Sequence, residues 1–226
     1  MLVWMTMTLL GSGAALFGLT RKEQPPECPP GTHWIEETDP AVLAPPGQEP
    51  IARMGWCARE DGVRDGPTRT YWTNGWLRSE LTFAAGVESG PVRTLYEDGR
   101  PETETRHVDG KIDGRFQQWH RSGERARDMY YAQGHASGWA AFWDEQGRRT
   151  QEGAFLDGKK QGEWDAWYPN GVLREVARWR DGRLDGRRFQ WTEGGVFHVG
   201  GCFDAGEQLW ETKVEADART RACRPF

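Results

Sequence analysis

The sequence predicts an all-β fold, a single-layer antiparallel meander of about twelve strands made of six 24-residue β-hairpin repeats. Three observations carry this. Glycines recur with one unbroken period. Turn-forming pairs fall about every twelve residues, leaving strand-length runs between them. Apolar residues make up only 37% of the chain, yet it holds 13 Trp and 29 Gly. The usual apolar share of globular domains is roughly 45–50%. Few aliphatic and many aromatic side chains suit a thin sheet better than a thick two-layer core, because each ring buries roughly 150–250 Å².

The period fixes the units. One glycine set falls at Gly66, Gly90, Gly114, Gly138, Gly162 and Gly186. A second falls at Gly75, Gly99, Gly123, Gly147, Gly171 and Gly195, and a third at Gly86, Gly110, Gly134, Gly158, Gly182 and Gly206. Each set steps by 24 residues without insertion or deletion, and Gly62 extends the third set one unit backward. Residues 66–209 therefore form six units with a partial unit before them.

The second set closes triplets such as Thr73-Asn74-Gly75, Glu97-Asp98-Gly99 and Pro169-Asn170-Gly171. Asn-Gly and Asp-Gly between strand-like runs mark hairpin turns whose two central residues take positive φ. The third set marks the return turn, as in Asp109-Gly110, Asp157-Gly158 and Asp181-Gly182. If the first turn is a two-residue loop, each opening glycine lies opposite the residue 17 positions later. Those residues are Phe83, His107, Tyr131, Phe155, Trp179 and Phe203, so the reading includes aromatic rings lying across the opening glycines. The same register sets Arg69 against Glu80 and Arg93 against Glu104, pairs that stabilise by roughly 0.2–1 kcal/mol.

A second row lies five residues after each opening glycine: Tyr71, Leu95, Trp119, Trp143, Trp167 and Trp191. It faces away from the first row and repeats every ~9.6 Å, two strand spacings. Buried rings mostly serve packing. Left exposed, Tyr71, Trp119, Trp143, Trp167 and Trp191 are the candidate binding surface.

The segments Phe155-Leu156-Asp157-Gly158-Lys159-Lys160-Gln161-Gly162-Glu163-Trp164 and Trp167-Tyr168-Pro169-Asn170-Gly171 resemble the MORN repeat, most closely its second variant. The resemblance extends over residues 62–209. His120, Asp144 and Thr192 replace the second aromatic in three units, and Gly200-Gly201 departs in the sixth. The resemblance implies a solenoid-like scaffold in which each unit packs on its neighbours. It implies a protein partner, with toxin neutralisation by an antitoxin-like protein, or a glycan or lipid ligand on the aromatic rows, as the alternatives.

The flanks divide the rest. Residues 1–23 read as a signal peptide or an N-terminal membrane anchor, since the first 19 carry no charge and Arg21 and Lys22 follow. Membrane contact is expected only through that segment if it stays uncleaved. Residues 24–50 hold eight prolines and read as a linker or cap. The repeat domain spans 51–209, and 210–226 reads as a C-terminal cap formed by a final strand or a short helix. Cys28, Cys57, Cys202 and Cys223 allow three disulfide connectivities, of which pairing of neighbours places one staple at each end. An even cysteine count after an export signal points to the periplasm, the cell surface or secretion.

Chemistry leaves little trace. His33, His107, His120, His135 and His198 fall at unrelated offsets, so they build no metal ladder. Glu80, Glu104, Asp128 and Glu152 recur at one offset, which marks a repeat role rather than a catalytic dyad. The net charge of −5 offers no field for nucleic acid. The expected function is therefore a non-catalytic, cofactor-free interaction scaffold at the bacterial cell envelope, its partner a protein of unknown identity.

Overall fold

A computed structural model describes residues 25–38 and 51–223. The expected leader over 1–23, residues 39–50 of the Pro-rich stretch and the last three residues lie outside the described residues. One sheet of sixteen strands takes up nearly all of the rest. Its first half is β1 His33–Glu37, β2 Arg53–Ala58, β3 Arg64–Tyr71, β4 Leu77–Ala84, β5 Val87–Leu95, β6 Pro101–Val108, β7 Lys111–Ile112 and β8 Gly114–Trp119. Its second half is β9 Arg125–Ala132, β10 His135–Trp143, β11 Arg149–Leu156, β12 Lys159–Trp167, β13 Leu173–Arg180, β14 Arg183–Trp191, β15 Phe197–Asp204 and β16 Glu207–Thr212. A short helix, α1 Glu215–Thr220, follows.

With β7 and β8 counted as one strand, since both pair with β6, every strand pairs antiparallel with its chain neighbours and the sheet is an open meander. The count exceeds twelve for two reasons. Two strands precede the repeats and one follows them, and one repeat strand is split at Asp113 into β7 and β8. The expected C-terminal cap contains both a strand and a helix.

All six register pairs read from the sequence are present: Gly66–Phe83, Gly90–His107, Gly114–Tyr131, Gly138–Phe155, Gly162–Trp179 and Gly186–Phe203. The turn that sets them differs from expectation. Trp72 accepts from the Gly75 amide and donates to the Trp76 carbonyl, both at 2.8 Å, closing a three-residue loop. Only the glycine takes positive φ there (Gly75, +88°), as in a type I turn ending in a left-handed glycine. The extra loop residue is absorbed because Tyr71 pairs with Leu77 while Thr70 pairs with Ser79, leaving Arg78 as a bulge. The return turns are the two-residue kind with positive φ at both positions, as at Asp109 (+50°) and Gly110 (+75°). Gly62 sits at a third-set position but closes a loop of the first kind, bonding back to Arg59.

The opening glycines also have a different purpose. Between Leu81–Val92 and Phe83–Glu88 the register slips by two residues, and Gly90 lies in that bulge with φ +127°. Positive φ in a bulge is the reason for glycine here. The expected cover by the opposing ring is not what fills the space: a Cβ on Gly114 or Gly162 would meet nothing within 4 Å. Rings do lie against other glycines, Trp34 on Gly55, Trp76 on Gly99 and Trp164 on Gly153.

Neighbouring units are stitched at both ends of their hairpins. At the return turns the Gly86 amide donates to Arg64 O at 2.7 Å, and Gly110, Gly134, Gly158, Gly182 and Gly206 repeat the bond one unit on each time. At the other end, the side chain after each row residue donates to the carbonyl of the next row residue. Trp72 reaches Leu95 O (2.9 Å), Tyr96 reaches Trp119 O (2.7 Å), His120 reaches Trp143 O (2.9 Å) and Tyr168 reaches Trp191 O (3.0 Å). Asp144 has no proton to give and instead accepts from the Gln146 and Arg148 amides of its own turn, both at 3.0 Å.

The two faces differ. The packed face carries the largest apolar cluster, Met129, Ala140 and Trp164 with Phe116, Tyr131, Phe142, Phe155 and Trp179 against them. Phe155 meets Trp164 edge to face at 4.9 Å between centroids, and the Lys160 ammonium lies 4.0 Å from the Trp164 ring. Burial there pushes the Lys160 amine down, against a raising effect from Glu175.

Candidate functional site: the clasped face

The opposite face is defined by one cross-strand row that never slips. It runs Gly55, Arg69, Glu80, Arg93, Glu104, Gln117, Asp128, Ala141, Glu152, Asp165, Val176, Phe189 and Gly200. Residues two positions away along any strand share this face, because strand side chains alternate. Tyr71, Trp119, Trp143, Trp167 and Trp191 therefore lie on it, and so do Cys57 and Cys202.

Both ends of this face are covered by the chain itself. Cys28 bonds Cys57, and the Pro25–Pro30 stretch follows the face: Pro29 fills the place a Cβ on Gly66 would need, and Pro26 lines a groove with Pro67 and Pro91. Cys202 bonds Cys223, which draws α1 down so that Ala218, fully buried, packs on Gly200. Trp210 Nε1 donates to Ala222 O at 3.0 Å and the Arg219 guanidinium lies 5.8 Å over the Phe189 ring. Neighbouring cysteines are thus joined, one clasp at each end and both on one side.

The row Tyr71 to Trp191 is not left open. Tyr71 is 2% exposed and the others are half-buried. Arginines from adjacent strands lie over the rings: Arg53 at 3.8 Å from Tyr71, Arg125 at 5.6 Å from Trp143, and Arg149 at 5.8 Å from Trp143 and 5.9 Å from Trp167. Each such contact contributes roughly 0.5–1 kcal/mol. The rings most open on this face are Tyr130 (44%) and Trp139 (42%), which flank Gly138, and sequence reasoning missed both. Their signal was singularity. Trp139 stands where other units carry Pro67, Pro91, Arg115, Glu163 and Arg187; Tyr130 stands where they carry Thr82, Arg106, Ala154, Arg178 and Cys202.

The charges on the row are mostly matched. Arg69 donates to Glu80 at 2.7 Å, as read from the sequence. Arg93 departs from the reading: it pairs in register with Glu104, but its guanidinium turns to Glu80 on the other side, at 2.9 Å. Two carboxylates flank Arg93 across the sheet, and its guanidinium bonds the one on β4. Asp128, 2% exposed, takes Arg115 through two bonds of 2.8 and 2.6 Å and Arg125 at 3.1 Å. The bond to Asp128 holds the Arg115 guanidinium above its usual range. Glu104 and Asp165 are the exceptions, neither having an ion pair among the described residues, and Asp165 is the more buried in like charge. Asp165 faces Glu152 directly, its Oδ1 is buried without a hydrogen bond, and burial, with Glu163 and Glu152 adding, pushes its carboxyl up.

Among the described residues no group of three or more His, Cys, Asp or Glu side chains is placed to hold a metal ion, and no helix is long and apolar enough to cross a membrane. A family model for the MORN repeat variant matches residues 64–85. The chain carries a MORN repeat. That stretch is β3, its three-residue loop and β4, with Ala85 of the return turn. The later units keep the MORN unit's glycine spacing, its bulge and both kinds of turn. No curated protein matches the chain.

Proposed function

We propose that this MORN-type array is a non-catalytic binding scaffold that holds a protein partner on the open middle of the clasped face. The observation that carries the reading is the placement of Tyr130 and Trp139. They are exposed, adjacent, outside the repeat pattern, and set between two end segments that already cover this face. Exposed aromatics in a polar surround are the usual anchors of interfaces. Arginines lie over Tyr71, Trp143 and Trp167 of the Tyr71–Trp191 row, which weighs against a glycan-stacking strip along it.

Turnover without a deep site is disfavoured. Two hollows on this sheet are open grooves of about 470 and 330 Å³ lined by repeat residues such as Pro91, Glu104 and Thr105. Two disulfides favour an oxidising compartment, hence the envelope or beyond, over a cytoplasmic antitoxin role.

The test is site-specific photo-crosslinking in the native envelope fraction, with the photoreactive residue at Trp139 or, on the packed face, at Phe155. One defined protein adduct from position 139 and none from 155 is expected. Adducts from 155 alone, or the same adducts from both, would remove the face from consideration.

A further inference from the structure

We propose that the docked partner presents a basic segment, which rests on Tyr130 and Trp139 and seats an arginine or lysine against Glu152 and Asp165. The inference deepens the scaffold reading and rests on it.

The chain supplies its own template for the seat. In the first two units the row alternates in sign, and Glu80 receives a guanidinium from each side, Arg69 at 2.7 Å and Arg93 at 2.9 Å. Three units further on, the equivalent of the Glu80–Arg93 pair is Glu152–Asp165, an acid facing an acid. Like charges directly across a strand pair destabilise a sheet. Arg149 reaches Glu152 from the hairpin end, while half-buried Asp165 makes no ion pair among the described residues. Glu163 adds a third carboxylate on the same face. Arg178 stands across from Glu163 but runs its stem over Gly186 and makes no ion pair with it among the described residues. What this place lacks, relative to the first unit, is one cation.

The neighbouring rings suit the same occupant. Trp139 lies on β10, next to β11 and two strands from Asp165, and its exposed face is available to the methylene stem of a long basic side chain or to its charge. An acidic segment would meet three carboxylates here, and a purely apolar one would strip water from Asp165 without replacing it. Charge complementarity thus selects a basic segment.

The test pans a displayed random-peptide library against the full disulfide-bonded chain. Enriched sequences are expected to carry Arg or Lys. Their affinity should fall about tenfold in Trp139→Ala and in Asp165→Arg, and fall with added salt. Asp165→Arg restores the alternation of the first units, and thermal melting confirms that it folds. Acidic or uncharged winners, basic winners that bind Asp165→Arg as well as the parent, or no winners at all would overturn the basic chemistry. Uncharged winners that still depend on Trp139 would leave the docking face standing. Winners indifferent to Trp139→Ala would remove both.

Discussion

The indole nitrogen of Trp72 donates to the carbonyl of Leu95, 2.9 Å away and 23 residues on, so that one unit's side chain closes the next unit's hairpin. At the next rung the Tyr96 hydroxyl donates to Trp119 O at 2.7 Å, and Tyr96→Phe keeps the ring and removes the donor. A net loss of about 1 kcal/mol is expected, which lowers Tm by roughly 2–4 °C for a chain of this size. Differential scanning calorimetry reads it directly, and an unchanged Tm would reduce the ladder to coincidence.

Two glycine-to-alanine changes should rank in an order opposite to that of the repeat pattern. Gly162 belongs to the pattern, has φ +71° and has open space around it, so Gly162→Ala should cost about 1–2 kcal/mol of backbone strain. Gly153 is outside the pattern and has no positive φ, yet the Trp164 ring occupies the place of its Cβ. Gly153→Ala pushes that ring out of the largest apolar cluster and should cost about 2–3 kcal/mol. Urea titration of the two variants decides the order.

Asp165 links stability to pH. Its carboxyl titrates higher in the fold than in the open chain, so its contribution is present below the unfolded value and is lost as pH rises through the folded one. Asp165→Asn removes that loss. The variant should match the parent near pH 3 and exceed it by roughly half a kcal/mol near pH 7. Melting curves at the two pH values test the sign, and a variant weaker than its parent at neutral pH would contradict it.

Replacing Cys202 and Cys223 with serine opens a clasp whose cysteines are 21 residues apart, at a cost of about 3 kcal/mol in the loop-entropy picture. Because units contact mainly their neighbours, the loss should stay local. Hydrogen exchange should rise across β16 and α1 while β9 to β12 keep their protection. A uniform rise along the array would show that the clasp supports the whole sheet.

The period, the strand pairing and the six register pairs were legible because glycine marks every reversal and nothing interrupts the count. The turn kinds were not, since Asn-Gly serves both a two-residue loop and the end of a three-residue one, and the bulge at Arg78 restores the same register. The partner choice of Arg93 was hidden because acids stand on both sides of it. The candidate row was found, but its arginine cover comes from neighbouring strands and only a folded sheet displays it. Tyr130 and Trp139 escaped notice because a search for repetition passes over what occurs once.

The two disulfides fasten only to β2 and β15, near the two ends of the sheet. Their separation is therefore a ruler set by the number of units: duplicating one hairpin pair would lengthen the bay between them by about 9.6 Å without altering either fastening. The footprint of whatever lies in that bay is consequently written in the chain as a whole number of 24-residue steps.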